Sequence, residues 1–203
     1  MVCEPCRGTL PFALLHGEAP IRVRVRGTRQ HPRVEVRDAS RERPVLPTPP
    51  EPGDEEDLEG RPFVGPAGAV LDAALRDAGV PRAALRLTNT VKHFRFTRRG
   101  KRRLHQRPTL EHVRACRPWL LREIELANPR VVVPMGLTPT RALLGQTVKL
   151  AAVRGRVLES DLGPSLLPTW HPAAVLRASD LLERRRIERE LRDALARAHA
   201  MAS

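Results

Sequence analysis

Val131-Val132-Val133-Pro134-Met135-Gly136 reads as a short strand that ends in a turn. An unbroken apolar run of this length, bounded by a turn signal, suits a strand covered on both faces. A helix through Ala142-Leu143-Leu144 follows it. Upstream, Thr109 can cap a helix to about residue 127, with Val113, Cys116, Leu120 and Ile124 inward. Residues 85–89 read as a strand whose end delivers the polar side chain of Asn89. Residues 67–78 read as a helix with Val70, Leu71, Ala74 and Leu75 on one face, closed by Gly79. Downstream, residues 155–158 and 165–168 read as strands, and a charged helix spans about 180–198. This alternation predicts an α/β fold: a three-layer αβα arrangement around a central, mostly parallel sheet. Ligands in such sheets sit at the carboxyl ends of the strands. Asn89, the 134–136 turn and His171 all fall there. No internal repeat is visible.

The chain has 203 residues, enough for one domain with a full core, and a formal charge of +13. Arginine supplies most of the cations, so a polyanionic partner is expected, and bidentate phosphate contact suits arginine best. No apolar run reaches membrane-spanning length, and no signal peptide is evident; no membrane role and a cytoplasmic location are expected. Three cysteines argue against a closed disulfide framework. Cys3 and Cys6 form a C-x-x-C pair, which is a chance pair or half of a metal site, with His93 a candidate further ligand. The character of the sequence changes near residue 51. Residues 1–50 are rich in arginine and proline, and the prolines of Arg43-Pro44-Val45-Leu46-Pro47-Thr48-Pro49-Pro50 argue against an interior strand. Ile21-Arg22-Val23-Arg24-Val25-Arg26 alternates as an exposed strand would, though a disordered basic arm suits it equally. Two units are therefore expected: an atypical segment, 1–50, and a domain, 51–203.

Thr97-Arg98-Arg99-Gly100-Lys101-Arg102-Arg103-Leu104-His105-Gln106-Arg107-Pro108 is a basic loop with a histidine in its middle. Basic runs of this kind are usually solvated surface or plain phosphate contacts. Taken alone, Phe63 is a core ring, Asn89 satisfies a turn, and His171-Pro172 is a surface turn.

Gly53-Asp54-Glu55-Glu56-Asp57-Leu58-Glu59-Gly60-Arg61-Pro62-Phe63-Val64-Gly65-Pro66-Ala67-Gly68 resembles the first motif of the iron–sulfur, family 4 type uracil-DNA glycosylases. Thr88-Asn89-Thr90-Val91-Lys92-His93-Phe94, the Lys101-Arg102-Arg103-Leu104-His105 loop and Ala115-Cys116-Arg117-Pro118-Trp119-Leu120 are similar to the UdgX branch, which becomes covalently joined to uracil-containing DNA. His171-Pro172-Ala173-Ala174-Val175-Leu176-Arg177 resembles the last glycosylase motif. The resemblance runs from about residue 52 to the C-terminus. It implies a monomeric uracil-DNA glycosylase of the DNA repair class, a hydrolase of N-glycosyl bonds that also accepts single-stranded DNA. Such an enzyme must extrude its nucleotide and break the bond at C1′. The resemblance implies that Phe63 stacks on uracil, that the Asn89 amide pairs with the base's polar edge, and that Gly53 and Asp54 line the same pocket. His171 would stabilise the departing uracil anion. His105 would capture C1′, because a neutral imidazole carries a nucleophilic lone pair. Lys101, Arg102, Arg103, Arg107 and Arg177 would hold phosphates. A structural 4Fe-4S cluster is implied on Cys3, Cys6, His93 and Cys116.

The chain departs from that pattern at one place. Prolines stand where the family carries Gly-Glu, and no apolar strand is evident before them. Glu51, the candidate catalytic carboxylate, is one residue late, and such a shift in extended chain reverses side-chain direction. Asp54 and Asp57 are possible substitutes. The first 50 residues are then either a diverged or a frame-shifted N-terminus. Three outcomes follow: a single-turnover enzyme trapped through His105, an ordinary turnover glycosylase, or an impaired basic DNA-binding module.

Overall fold

The computed structural model describes residues 22–28, 31–37, 45–59, 62–100 and 102–203, with side chains from residue 45 onward. The alternating arginine stretch is a strand, β1 (Arg22–Thr28), paired antiparallel with β2 (His31–Arg37). It is a hairpin, not an unpaired arm; Ile21 lies outside the described residues.

The domain is built on β3 (Val45–Thr48), β6 (Val131–Pro134) and β7 (Ser165–Leu166), all parallel, in the order β3-β6-β7. Residues 85–88 run alongside the other edge of β3: the amides of Arg86 and Thr88 donate to the carbonyls of Val45 and Pro47. Leu158 pairs antiparallel with Leu166 beyond β7. The expectation that prolines bar residues 43–50 from the sheet interior is therefore corrected: β3 is flanked on both sides. A residue's N–H and C=O point to the same side of a strand, so the N–H that Pro47 lacks would have faced the short 85–88 segment. The ladder to β6 is untouched, and Leu46 is fully buried.

Side-chain alternation sends Val45, Val131 and Val133 to one face and Leu46 and Val132 to the other. Helices α2 (Pro66–Asp77) and α7 (Leu181–Ala202) cover the first face through Leu71, Leu75, Leu191 and Leu195. Helices α3 (Leu110–Ala127) and α4 (Leu137–Leu144) cover the second through Leu120, Ile124 and Leu143. This is the expected three-layer α/β/α fold. Short helices α1 (Asp54–Glu59), α5 (Leu150–Val153) and α6 (Ala173–Leu176) lie in the connections. The basic loop is itself a hairpin, β4 (Phe96–Arg99) and β5 (Arg102–His105), turning at Gly100, whose φ of +60° suits glycine. Among the described residues no helix is long and apolar enough to cross a membrane.

Candidate active site

Three chain segments leave the carboxyl edge of the sheet and carry the candidate residues. The segment after β3 carries Glu51, that after residues 85–88 carries Asn89, and that following β7 carries His171. Phe63 stands in the turn between α1 and α2. Its backbone is left-handed (φ +57°), which costs a non-glycine residue of the order of 1 kcal/mol or more. Gly68 permits the turn, because a Cβ there would strike the Phe63 carbonyl. Glu56 fixes it from the other side by accepting the Gly65 amide at 3.0 Å. The Phe63 ring belongs to the core, yet it also faces the His171 ring at 6.0 Å and 26°. The core and site readings of this residue are compatible.

His171 Nδ1 accepts the Ala173 amide at 3.2 Å, so the neutral ring carries its proton on Nε2. Burial, and secondarily the charge of Arg177, lowers its pKa from 6.5 to about 4. The ring is therefore a neutral donor at physiological pH. Asn89 is half-buried, and its side-chain amide makes no hydrogen bond among the described residues.

Glu51 is not turned away as its one-residue shift predicts. The chain bends at Pro50 and Glu51, where strand alternation no longer governs direction, and the carboxylate meets the hairpin. Its Oε1 lies 2.6 Å from His105 Nε2. The two side chains differ sharply in exposure, 7% for Glu51 and 52% for His105. Burial raises the Glu51 pKa, and the His105 contact opposes that rise. Its Oε2 is buried without a hydrogen-bond partner among the described residues. The His105 ring stacks on Phe94 at 5.6 Å and 13°. Arg103 packs over Phe94 and Phe96 and pairs with Asp54 and Asp57 of α1. Asp54 and Arg103 thus meet each other, the pair joining the hairpin to α1. The Gly53 carbonyl accepts the Asp57 amide.

Arg102, Arg107 and Arg177 are exposed. Lys101 lies outside the described residues. So do Cys3 and Cys6, two of the four candidate cluster ligands. Cys116 is fully buried beside Val91, Val113 and Ala142. His93 Nε2 is buried without a hydrogen-bond partner among the described residues, and burial lowers the His93 pKa. An orphaned imidazole nitrogen and a buried thiol are donors of the kind an iron–sulfur cluster takes. Among the described residues, however, no group of three or more metal-binding side chains converges. The described residues alone do not make a cluster site, and no chemical step below passes through one.

Sequence reading missed Lys92 and Glu123. Lys92 Nζ donates to Glu123 Oε2 at 2.5 Å, Asn89 O at 2.6 Å and Thr88 Oγ1 at 2.9 Å. Glu123 also accepts the Thr88 hydroxyl. The signal was present: Glu123 interrupts the apolar face of α3 between Leu120 and Ile124, and a charge on an inward face needs a partner.

The chain is similar to several known proteins. A type-4 uracil-DNA glycosylase of Thermotoga maritima is 39% identical over 127 residues, 62% of each chain. Its counterpart from Pyrobaculum aerophilum is 38% identical over 133 residues, 62% of this chain and 64% of the relative. That from Archaeoglobus fulgidus is 32% identical over 139 residues, 65% and 66%. The chain thus spans a little under two thirds of the length of these curated relatives. Residues 50–196 match the uracil DNA glycosylase superfamily, and the chain belongs to that superfamily.

Proposed function

We propose that this protein excises uracil from DNA and is then held on the deoxyribose through His105, as in the UdgX branch. The observation that carries the reading is the contact between His105 Nε2 and the buried Glu51 carboxylate at 2.6 Å. In the tautomer that donates Nε2–H to Glu51, the ring lone pair sits on the other nitrogen and is free to attack. Attack at C1′ forms a carbon–nitrogen bond as the bond from C1′ to uracil N1 breaks. Its electron pair leaves on uracil, whose anion accepts a hydrogen bond from His171 Nε2–H. The imidazolium formed on His105 passes its N–H proton to Glu51. An alkylated imidazole is a poor leaving group, so the adduct persists and turnover stops. Phe63 supplies the stacking ring, and the unengaged Asn89 amide reads the base.

One observation favours turnover by water instead. Glu51 Oε2 is buried and has no hydrogen-bond partner among the described residues, and could accept a proton from a water aimed at C1′. That route releases free abasic DNA in molar excess over protein. Incubation with uracil-containing single-stranded DNA distinguishes the routes: the covalent route gives a denaturant-resistant protein–DNA band. His105→Ala should abolish the band while leaving uracil release measurable; a band that survives the substitution refutes the assignment. Salt-sensitive binding without release of uracil would mark a DNA-binding module.

The cytoplasmic monomer and the 4Fe-4S cluster belong to the same proposal, with His93 Nε2 as the observed free donor. We also keep the division between an arginine- and proline-rich leading segment and the glycosylase domain. β3 is counted with the domain because its sheet pairing lies there.

A further inference from the structure

The Lys92 ammonium and Glu123 carboxylate are 5% and 2% exposed. Removing two charges from water is costly, and such a pair is often no more stabilising than an apolar pair of similar volume. Stability alone therefore gives a weak account of it. Its geometry gives a stronger one. Each of the three ammonium protons has an acceptor: Glu123 on α3, the Thr88 hydroxyl, and the Asn89 main-chain carbonyl. In the same peptide unit as that carbonyl the Thr90 amide donates to the Pro49 carbonyl, and the next amide, that of Val91, donates to Pro50. The peptide unit that follows Asn89 is thus held at both its carbonyl and its amide, while the Asn89 side-chain amide has no hydrogen-bond partner among the described residues. Burial raises the Glu123 pKa, and Lys92 and Thr88 oppose that rise by stabilising the carboxylate.

We propose that the buried Lys92–Glu123 pair is a positioning device that sets the presentation of Asn89 and thereby the protein's affinity for uracil. This rests on the reading of Asn89 as the base-recognising residue. Neither residue touches substrate. Both act through the Asn89 main chain, and a misplacement of a recognition group by about 1 Å can cost roughly 100-fold in rate.

The test is a mutant cycle on the full chain. Lys92→Met/Glu123→Gln removes both charges together and leaves no orphaned ion, and its glutamine can still accept the Thr88 hydroxyl. Thr88→Val is a milder second variant that withdraws one ammonium acceptor. Three quantities are measured: single-turnover release of uracil, inhibition by free uracil, and affinity for uracil-free DNA. The double variant should slow release by roughly 10- to 100-fold and weaken inhibition by free uracil in step. Affinity for uracil-free DNA should hold. Thr88→Val should show a smaller loss of the same kind. On an Asn89→Ala background, neither variant should cause further loss, because the group they position is gone. Losses that multiply on that background, or unchanged inhibition by free uracil, overturn the inference and leave the glycosylase reading standing. A wild type that neither releases nor binds uracil overturns both.

Discussion

His171 keeps its proton on Nε2 because Nδ1 is occupied by the Ala173 amide, and it stays neutral because burial disfavours the cation. Both effects suit a group that must donate to a developing anion without itself being acidic. They also carry a cost in stability. The unfolded chain's histidine takes up a proton near pH 6.5, whereas the folded one resists until about 4. Between those values the unfolded state binds more protons, so folding stability falls as pH falls through that window and levels off below it. The contribution of this one group is about 3 kcal/mol. His93, whose pKa burial also lowers, acts in the same direction. Urea unfolding of wild type and His171→Leu at pH 7 and pH 4.5 should show a smaller pH-dependent loss in the variant. Equal losses would mean that His171 is not neutral and buried as described. At pH 7 the same variant should release uracil about 100-fold more slowly or worse, the scale of losing one donor to a developing anion.

The strand β3 places Glu51 and helps to fix Asn89, yet its sequence argues against a strand. Leu46 is fully buried between α3 and β6, so Leu46→Ala should destabilise the protein by about 2–5 kcal/mol in urea unfolding. A loss near zero would return residues 45–48 to an unstructured arm. The periodicities of α2, α3 and α7 and the run Val131-Val132-Val133 were legible, because burial on one or both faces writes itself into side-chain polarity. The strand-end positions of Asn89 and His171 were legible from the same alternation of elements, while the roles proposed for them come from the family resemblance and not from the pattern. What failed was local: the four prolines of residues 43–50 were weighed by propensity, while only Pro47 falls within β3 and its sheet position made the missing N–H harmless. The reach of Glu51 to His105 depends on a bend and on a hairpin 54 residues away, and no local pattern records such a meeting. The same limit hid the commitment of Arg103 to α1, for an arginine in a basic loop looks like its neighbours until a carboxylate is brought to it.

The chain carries a formal charge of +13, which suits the proposed DNA substrate, but only unengaged cations release counterions on binding. Arg102, Arg107 and Arg177 are exposed and make no ion pair among the described residues. Arg103 is neutralised by Asp54 and Asp57. On the proposed function, equal formal charges therefore imply unequal contributions to DNA binding. Replacing Arg102, Arg107 and Arg177 together by serine should lower the slope of log affinity against log salt by about 2 on single-stranded DNA, at roughly 0.7 per phosphate contact. Arg103→Ser should change that slope by much less, since removing it also frees two carboxylates that repel phosphate. It should instead loosen the hairpin that carries His105, slowing adduct formation more than it weakens binding. Titration by fluorescence anisotropy across a salt series, with uracil-free oligonucleotides, separates the two. An unchanged slope in the triple variant would move the DNA footprint away from the sheet edge that carries Glu51, Asn89 and His171, and the proposed site would then need another route to its substrate.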